Sequence, residues 1–450
     1  MSAHDKSIGA ATLHRLRRSR GWSLRDMARA LIDAAADLGH PLDADLASVQ
    51  RSVARWESDS KPILPGERYQ LLLARVYART CDGHVSLGAG SDVAELLDAL
   101  AHLGEGERRL VELRTLLVKT TTDDGGGLLA LLGPSTQLAL SRALADPSRL
   151  DDSVLDAMRI AVGDANGQVG SVPFVRVQLL LAPIVESCRR LLAASVPDVP
   201  EPLMPGLGAV AAQAYTLAAR AAFETRDDEA SRALYAEATA AAGVTGSPWR
   251  RAVVHMSHAL VTLYSTSGGK GAQRLVDAAV RDARAGESVT VRARAHALQA
   301  EIAARAGSEK HAMAALALAW YDMERDAEGD PAASSFSAAH LRGFEGVTAL
   351  HVGDATDAHD YFARSAASMS APRERVQRAI VSTDQALALI RLGDPHAAAV
   401  LLHDCVDAVS ATGGRVASIR LRNARIDLRP WRTQDFVADL DDHLIESLGP

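Results

Sequence analysis

Ser48-Val49-Gln50-Arg51-Ser52-Val53-Ala54-Arg55-Trp56-Glu57 places Val49, Val53 and Trp56 at i, i+4 and i+7, one apolar face at helical spacing. Ser48 is positioned to cap this helix through its hydroxyl. The opposite face carries Gln50, Arg51 and Arg55, side-chain types that hydrogen-bond base edges and phosphates. A short helix buried on one side and armed on the other has the pattern of a recognition helix. An ordinary amphipathic surface helix shares that pattern, so the flanking sequence has to decide between them.

Upstream, a first helix is expected from Ile8 to Ser19, with Leu13 and Leu16 buried and Gly21 ending it. Ser23 then caps a second helix whose apolar face is Leu24, Met27, Ala28 and Leu31. Gly39-His40-Pro41 is a helix-stopping turn. Downstream, Lys61-Pro62-Ile63-Leu64-Pro65 is an extended connector before a helix over Glu67–Tyr77. Between Arg15 and Arg29 stand six arginines and one acid, a local field suited to a polyanion; a solvated helix face gives the same count.

Three runs then carry a resemblance: Leu16-Arg17-Arg18-Ser19-Arg20-Gly21-Trp22-Ser23, Met27-Ala28, and Val53-Ala54-Arg55-Trp56-Glu57-Ser58. Together they resemble the Xre-type helix-turn-helix of repressor-like regulators. In that family an Arg-Gly-x-Ser corner joins the first two helices, and a Trp-Glu pair closes the recognition helix. The resemblance implies that Gln50 and Arg51 reach into the major groove of double-stranded DNA, with Ser52 or Arg55 on the flank and Ser48 at the helix start. It leaves Trp56 and Glu57 with structural roles. The chain departs from the family in two places. Leu24 stands where a phosphate-holding Gln is usual, so Ser23, Arg25 or the amides of that helix end inherit the contact. The second helix also extends through Asp37, leaving a longer segment before the recognition helix than the compact motif needs.

At 450 residues the chain is too long for one ordinary core. An apolar fraction of 48% with only 4% aromatics, and few β-branched runs of period two, point to close-packed helices and an all-α fold. The net charge of −7 is uneven. Residues 1–90 hold thirteen Lys and Arg against ten Asp and Glu, and the remainder thirty-six against forty-six. Cys81, Cys188 and Cys405 have no paired spacing, which disfavours a disulfide framework or a zinc cluster and fits a reducing interior. A polar N-terminus and the lack of any run of membrane-span length complete the expectation of a cytoplasmic protein.

Residues 1–81 therefore read as a DNA-binding domain and 82–202 as a helical connector. Connector helices are expected over Asp92–Leu103, Glu107–Leu117, Pro134–Leu144, Asp151–Val162 and Val172–Ala194. A flexible loop is expected near 120–127, and the Pro-rich run 196–202 marks a boundary. Gly163, Gly167 and Gly170 lack phosphate-loop spacing. Ser267-Gly268-Gly269-Lys270-Gly271 lacks the Ser or Thr that follows a Walker lysine. No cofactor motif, metal spacing or nucleophile–base pairing emerges, and no enzymatic activity is expected.

Residues 203–450 repeat. Ala230, Ala272, Ala312, Ala358 and Ala398 form a column at intervals of roughly forty residues. Leu234, Val276, Leu316, Phe362 and Leu402 follow four residues later. Ala218, Leu260, Ala300, Gly346 and Ala386 precede by twelve. Turn signals recur at Gly307-Ser308, Gly353-Asp354 and Gly393-Asp394. Small residues let two antiparallel helices approach, and the large residue one turn on fills the space beside them. Five helix pairs with a cap over Arg415–Leu448 make an α-solenoid that resembles the tetratricopeptide repeat, with longer units and without its aromatic positions. An irregular helical bundle is the competing reading.

A stack of helix pairs offers a concave face for a peptide, a partner helix or a small molecule. Its candidate lining residues are Tyr215, His255, His296 and Arg342, each of which also fits an ordinary surface or core role, while Trp320 and Tyr321 are expected to pack between repeats. Together the two resemblances are those of ligand-responsive bacterial regulators, homodimers whose effector domain alters operator affinity. The Ala- and Arg-rich composition suits a high-GC genome such as an actinobacterium's. The competing reading is an interaction scaffold with a degenerate helix-turn-helix.

Overall fold

The computed structural model describes residues 3–448 apart from 38–40, 59, 81, 122–127, 195–198, 266–267, 326 and 371–373. The Gly39-His40 turn, most of the 120–127 loop, the start of the 196–202 run and Cys81 lie outside the described residues. The fold is all-α, with no strand among the described residues. The chain divides into two compact units, 1–157 and 158–450. The division falls inside the stretch read as a connector, whose helices are shared out between the two units.

In the N-terminal unit, α1 (Ala3–Ser19), α2 (Leu24–Asp37), α3 (Leu46–Trp56) and α4 (Glu67–Ala78) are followed by α5 (Asp92–Leu103), α6 (Glu107–Thr121) and α7 (Pro134–Ala145). α1 begins five residues earlier than the pattern Leu13/Leu16 indicates. Its N-terminal half is held by α5: a Cβ on Gly9 would stand 2.6 Å from the Ala99 carbonyl. α5 also packs on α4, so the core of this unit extends past residue 81. Val93, Leu96, Leu100 and Leu103 complete the core begun by Leu13, Leu16, Leu31, Val49, Val53 and Leu73. α2 runs through Asp37, as its composition predicts.

The second unit contains α9 (Phe174–Ala193) and five helical hairpins. These are α10 (Met204–Glu224) with α11 (Asp228–Val244), α12 (Pro248–Leu263) with α13 (Gly268–Ala285), and α14 (Val289–Arg305) with α15 (Glu309–Met323). They continue with α16 (Ala338–Val352) paired to α17 (Ala355–Ser368), and α18 (Arg375–Arg391) paired to α19 (Pro395–Thr412). The first helix of each hairpin packs on the first helix of the next. α20 (Arg415–Asp427) and α21 (Asp435–Leu448) close the chain, and α8 (Asp152–Gly167) contains the division between the units.

The column logic is visible in atomic detail at Gly346. A Cβ there would lie 2.6 Å from the Phe362 ring, so α16 and α17 touch only because position 346 has no side chain. Ala272, Ala312, Ala358 and Ala398 are wholly buried. The first hairpin departs by one residue. Ala230 and Leu234 are only half-buried, while Ser231 and Tyr235 take the inward places, opposite the fully buried Ala219.

The cause of that shift is the turn. Asp354 and Asp394 cap α17 and α19, each following a left-handed Gly353 or Gly393. Asp227 caps α11 in the same way, but the left-handed position before it is Arg226, at φ 68°. The Gly-Asp signature is thus present in geometry and absent in sequence. A left-handed non-glycine residue costs about 1–2 kcal/mol. Arg226→Gly is therefore expected to raise stability by up to about 1 kcal/mol once the added freedom of the unfolded chain is subtracted. A urea denaturation midpoint that stays put or falls would contradict this.

His296, on α14, is 2% exposed. Its Nδ1–H donates to Asp322 at 3.0 Å, and its Nε2 accepts from Arg284 at 3.4 Å, an arrangement that fits only the neutral imidazole. Burial holds its pKa below the ordinary 6.5, against the pull of Asp322. The unfolded chain takes up a proton at this side chain below about pH 6.5 and the folded chain resists it. Stability present above that pH is therefore lost as the pH falls through it. Melting temperatures should drop on acidification from about pH 7.5 to about pH 5.5, with a shallower drop for His296→Gln. Equal slopes would remove His296 from the account.

Candidate nucleic-acid interface

α3 begins one turn earlier than its first hydroxyl. The cap is Asp45, whose carboxylate accepts the Ser48 N–H at 2.7 Å, so Ser48 lies inside the helix and does not start it. Asp outcompetes Ser at this place because its charge also complements the helix N-terminus. Val49, Val53 and Trp56 are buried, with the Trp56 ring 5.0 Å from that of Tyr69. Gln50 is half-buried, and Arg51 and Arg55 are exposed. Ser52 donates to the Ser48 carbonyl at 3.2 Å and Arg55 reaches Ser52 at 3.4 Å, so the Ser52 hydroxyl is occupied within the helix. Ala47 and Ala54 also face solvent on this side. These small side chains let the outer face approach another surface closely, and the period-3.6 pattern that marked Arg51 marks them too.

The end of α3 is clamped. Glu57 accepts from the Arg17 guanidinium at 2.8 and 2.7 Å with both side chains nearly inaccessible, and Arg17 also donates to the Trp22 carbonyl at 2.7 Å. That bidentate grip fixes α3 against α1 and the corner. Gly21, at φ 71°, makes the turn that lets its own N–H reach Arg18 and the Trp22 N–H reach Arg17. Glu57 and Trp56 therefore have structural work, and the pair is unavailable to bases.

The arginine run divides. Arg15 pairs with Glu95. Arg20 pairs with Asp92 at 2.6 Å, donates to the Val76 and Arg79 carbonyls, and lies over the Tyr77 ring at 4.8 Å. With Arg17 on Glu57, three of the six are consumed in holding α1 to α3, α4 and α5. Arg18, Arg25 and Arg29 are exposed. The polyanion field is accordingly about half of what the count of charges implies. Its partners lie 40 to 80 residues away, beyond what local sequence shows.

At the start of α2, Ser23 and Asp26 cap reciprocally. The Asp26 N–H donates to Ser23 Oγ at 3.2 Å, and Asp26 accepts the Ser23 N–H at 2.9 Å and hydroxyl at 2.7 Å. The hydrogen bonds from Ser23 hold the Asp26 carboxyl below the usual carboxylate range. A carboxylate thus occupies the place where amides would receive a phosphate, which leaves exposed Arg25 as the available cation there.

The chain matches no family model, no curated protein and no solved structure.

The four candidate lining residues of the second unit do not form one site. Tyr215 is buried at 2% exposure, where desolvation raises its pKa, and His296 is enclosed as described above. His255 is half-buried, 3.6 Å from Asp282, which Arg251 also holds. Arg342 lies over Trp320 at 5.9 Å. Trp320 packs in the cluster between α14, α15 and α16 and donates to Glu345 at 2.8 Å, whereas Tyr321 is 61% exposed and packs between nothing. Sequence does not show the partners that His255 and His296 find, the carboxylates Asp282 and Asp322 on the paired helix of the same hairpin and, for His296, Arg284 of the preceding one.

The inner side of the first helices is occupied by the chain itself. Arg420, on α20, is buried with Asp384 of α18 and Glu301 of α14, and lies over the Tyr264 ring at 5.3 Å. Arg305 completes the cluster on Glu301 at 3.0 Å. The start of α20 is held by α10: the Val416 N–H donates to Glu224 at 3.0 Å, and Arg415 pairs with Asp228 while stacking over Phe223 at 4.3 Å. α20 thus ties the first, third and fifth hairpins together. Among the described residues no group of His, Cys, Asp and Glu could hold a metal ion, and no helix is long and apolar enough to cross a membrane.

Proposed function

We propose that the chain is a sequence-specific DNA-binding transcriptional regulator whose helical-hairpin unit receives an effector. The observation that carries this reading is α3. One face is locked by Val49, Val53, Trp56 and the Glu57–Arg17 pair, and the other presents Gln50, Arg51 and Arg55 around small Ala47 and Ala54. A helix entering the major groove needs this combination: fixed orientation, slim outer face, and donors that pair bidentately with guanine or adenine edges. The Arg-Gly-Trp-Ser corner and the Trp-Glu end support it by resemblance to Xre-type regulators, and the five hairpins by resemblance to tetratricopeptide arrays.

A homodimer places two such helices in successive major grooves about 34 Å apart, and an effector favours one arrangement of the pair. Gln50 and Arg51 read bases, and Arg55 and Arg25 contact phosphates. Selection of the purified full chain against a random duplex pool tests this directly. Enrichment of a two-fold-symmetric site supports the proposal, and a pool that stays random after repeated rounds refutes it. An interaction scaffold would retain its protein partner when Gln50, Arg51 and Arg55 are reversed in charge.

A further inference from the structure

A cavity of about 590 Å³ opens between the first two hairpins, walled by α10, α11, α12 and α13. Its walls are of two kinds. Phe223, Val261 and Leu275 are apolar, and Arg232 and Arg274 are cationic. Both arginines are exposed. Arg232 spends its Nε–H on the Asp228 carbonyl at 3.1 Å; its terminal nitrogens, and the whole Arg274 guanidinium, have no partner among the described residues. Ser231 also lines the cavity. It is 2% exposed, and its hydroxyl finds no hydrogen-bond partner in the protein. Ser231 sits there because Arg226 and Asp227 start α11 one residue out of phase with the sequence columns, turning a serine inward where the other hairpins place alanine.

From these features we infer that the cavity binds a small amphipathic anion, a carboxylate or sulfonate joined to an aryl or acyl body. The head group lies between Arg232 and Arg274, and the body lies on Phe223, Val261 and Leu275. The volume is within the range of small-molecule sites, and a few placed polar groups in a mainly apolar wall are their usual composition. Asp228 at the rim does not repel the head, because Arg415 neutralises it. The same rim carries the coupling. Phe223 touches the occupant on one side and Arg415 of α20 on the other, so an anion in the cavity strengthens the seat of α20 on α10. This rests on the effector reading above and gives the effector a chemical class.

The test uses 8-anilinonaphthalene-1-sulfonate as the probe and the full chain. Fluorescence should saturate at one site and be displaced by octanoate but not by octanol, which has the same body without the charge. Arg232→Glu with Arg274→Glu, both at exposed positions, should weaken the probe at least about tenfold, and Arg422→Glu, outside the cavity, should leave it unchanged. Gly271→Leu, which fills the wall against Thr262, should also abolish it. Displacement by octanol as well as octanoate, or equal affinity in all variants, would overturn the proposal. Because binding is read without DNA, its failure alongside an enriched operator would overturn the cavity alone and leave the DNA-binding reading standing.

Discussion

Arg420→Ala is expected to cost about 3–5 kcal/mol, the largest effect of any single truncation in the second unit. The arginine is buried between Asp384 and Glu301, themselves 5% and 3% exposed, and α20 has no other charged group reaching both hairpins. Removing it leaves Asp384 without its counter-ion in a dry setting, while Glu301 keeps Arg305. The cost is therefore mainly that of an uncompensated carboxylate, not of a lost attraction. A paired replacement separates these. Arg420→Met with Asp384→Leu removes both charges at similar volume and should recover most of the loss. Urea denaturation followed by circular dichroism measures both. A loss under about 1 kcal/mol for the single variant, or no recovery in the double, would show that the cluster is solvated and that α20 is held by other contacts.

Trp56→Ala should cost about 3–5 kcal/mol in the N-terminal unit, through lost burial and the cavity left beside Tyr69. A domain has about 5–15 kcal/mol to lose, so the variant should melt well below the parent, by more than about 10 °C. Arg51→Ala, at an exposed position, should leave the melt unchanged. The contrast distinguishes a scaffold residue from a reading residue on the same helix. A cooperative melt for Trp56→Ala within a few degrees of the parent would mean that α3 is anchored chiefly by Glu57 and Arg17.

The all-α fold was legible because helical periodicity is local: Val49, Val53 and Trp56 announced α3, and Asp92–Leu103 could be bounded to the residue. Caps were less legible where two candidates compete. Ser48 and Asp45 are both good caps, and charge at the helix start favoured Asp45. What stayed hidden was long-range charge pairing. Arg17 and Arg20 read as polyanion or solvated residues until Glu57 and Asp92 are brought to them by folding, and nothing local marks Arg420 as the partner of Asp384. For the same reason His296 read as a ligand group and is a core histidine. The phase of the first hairpin was misread because its turn uses Arg226 in a conformation that glycine usually marks, and Ser231 was thereby missed as a cavity residue.

The central claim is that α3 reads DNA. It is tested most directly by fluorescence anisotropy of the full chain on the duplex it selects, as a function of salt, for the parent and Arg51→Ala. The account predicts that the parent loses affinity steeply with salt, and that Arg51→Ala loses about 1–3 kcal/mol on the selected duplex with little change on a scrambled one. Equal affinity of parent and variant for the selected duplex, or a parent that binds selected and scrambled duplexes alike, would contradict it.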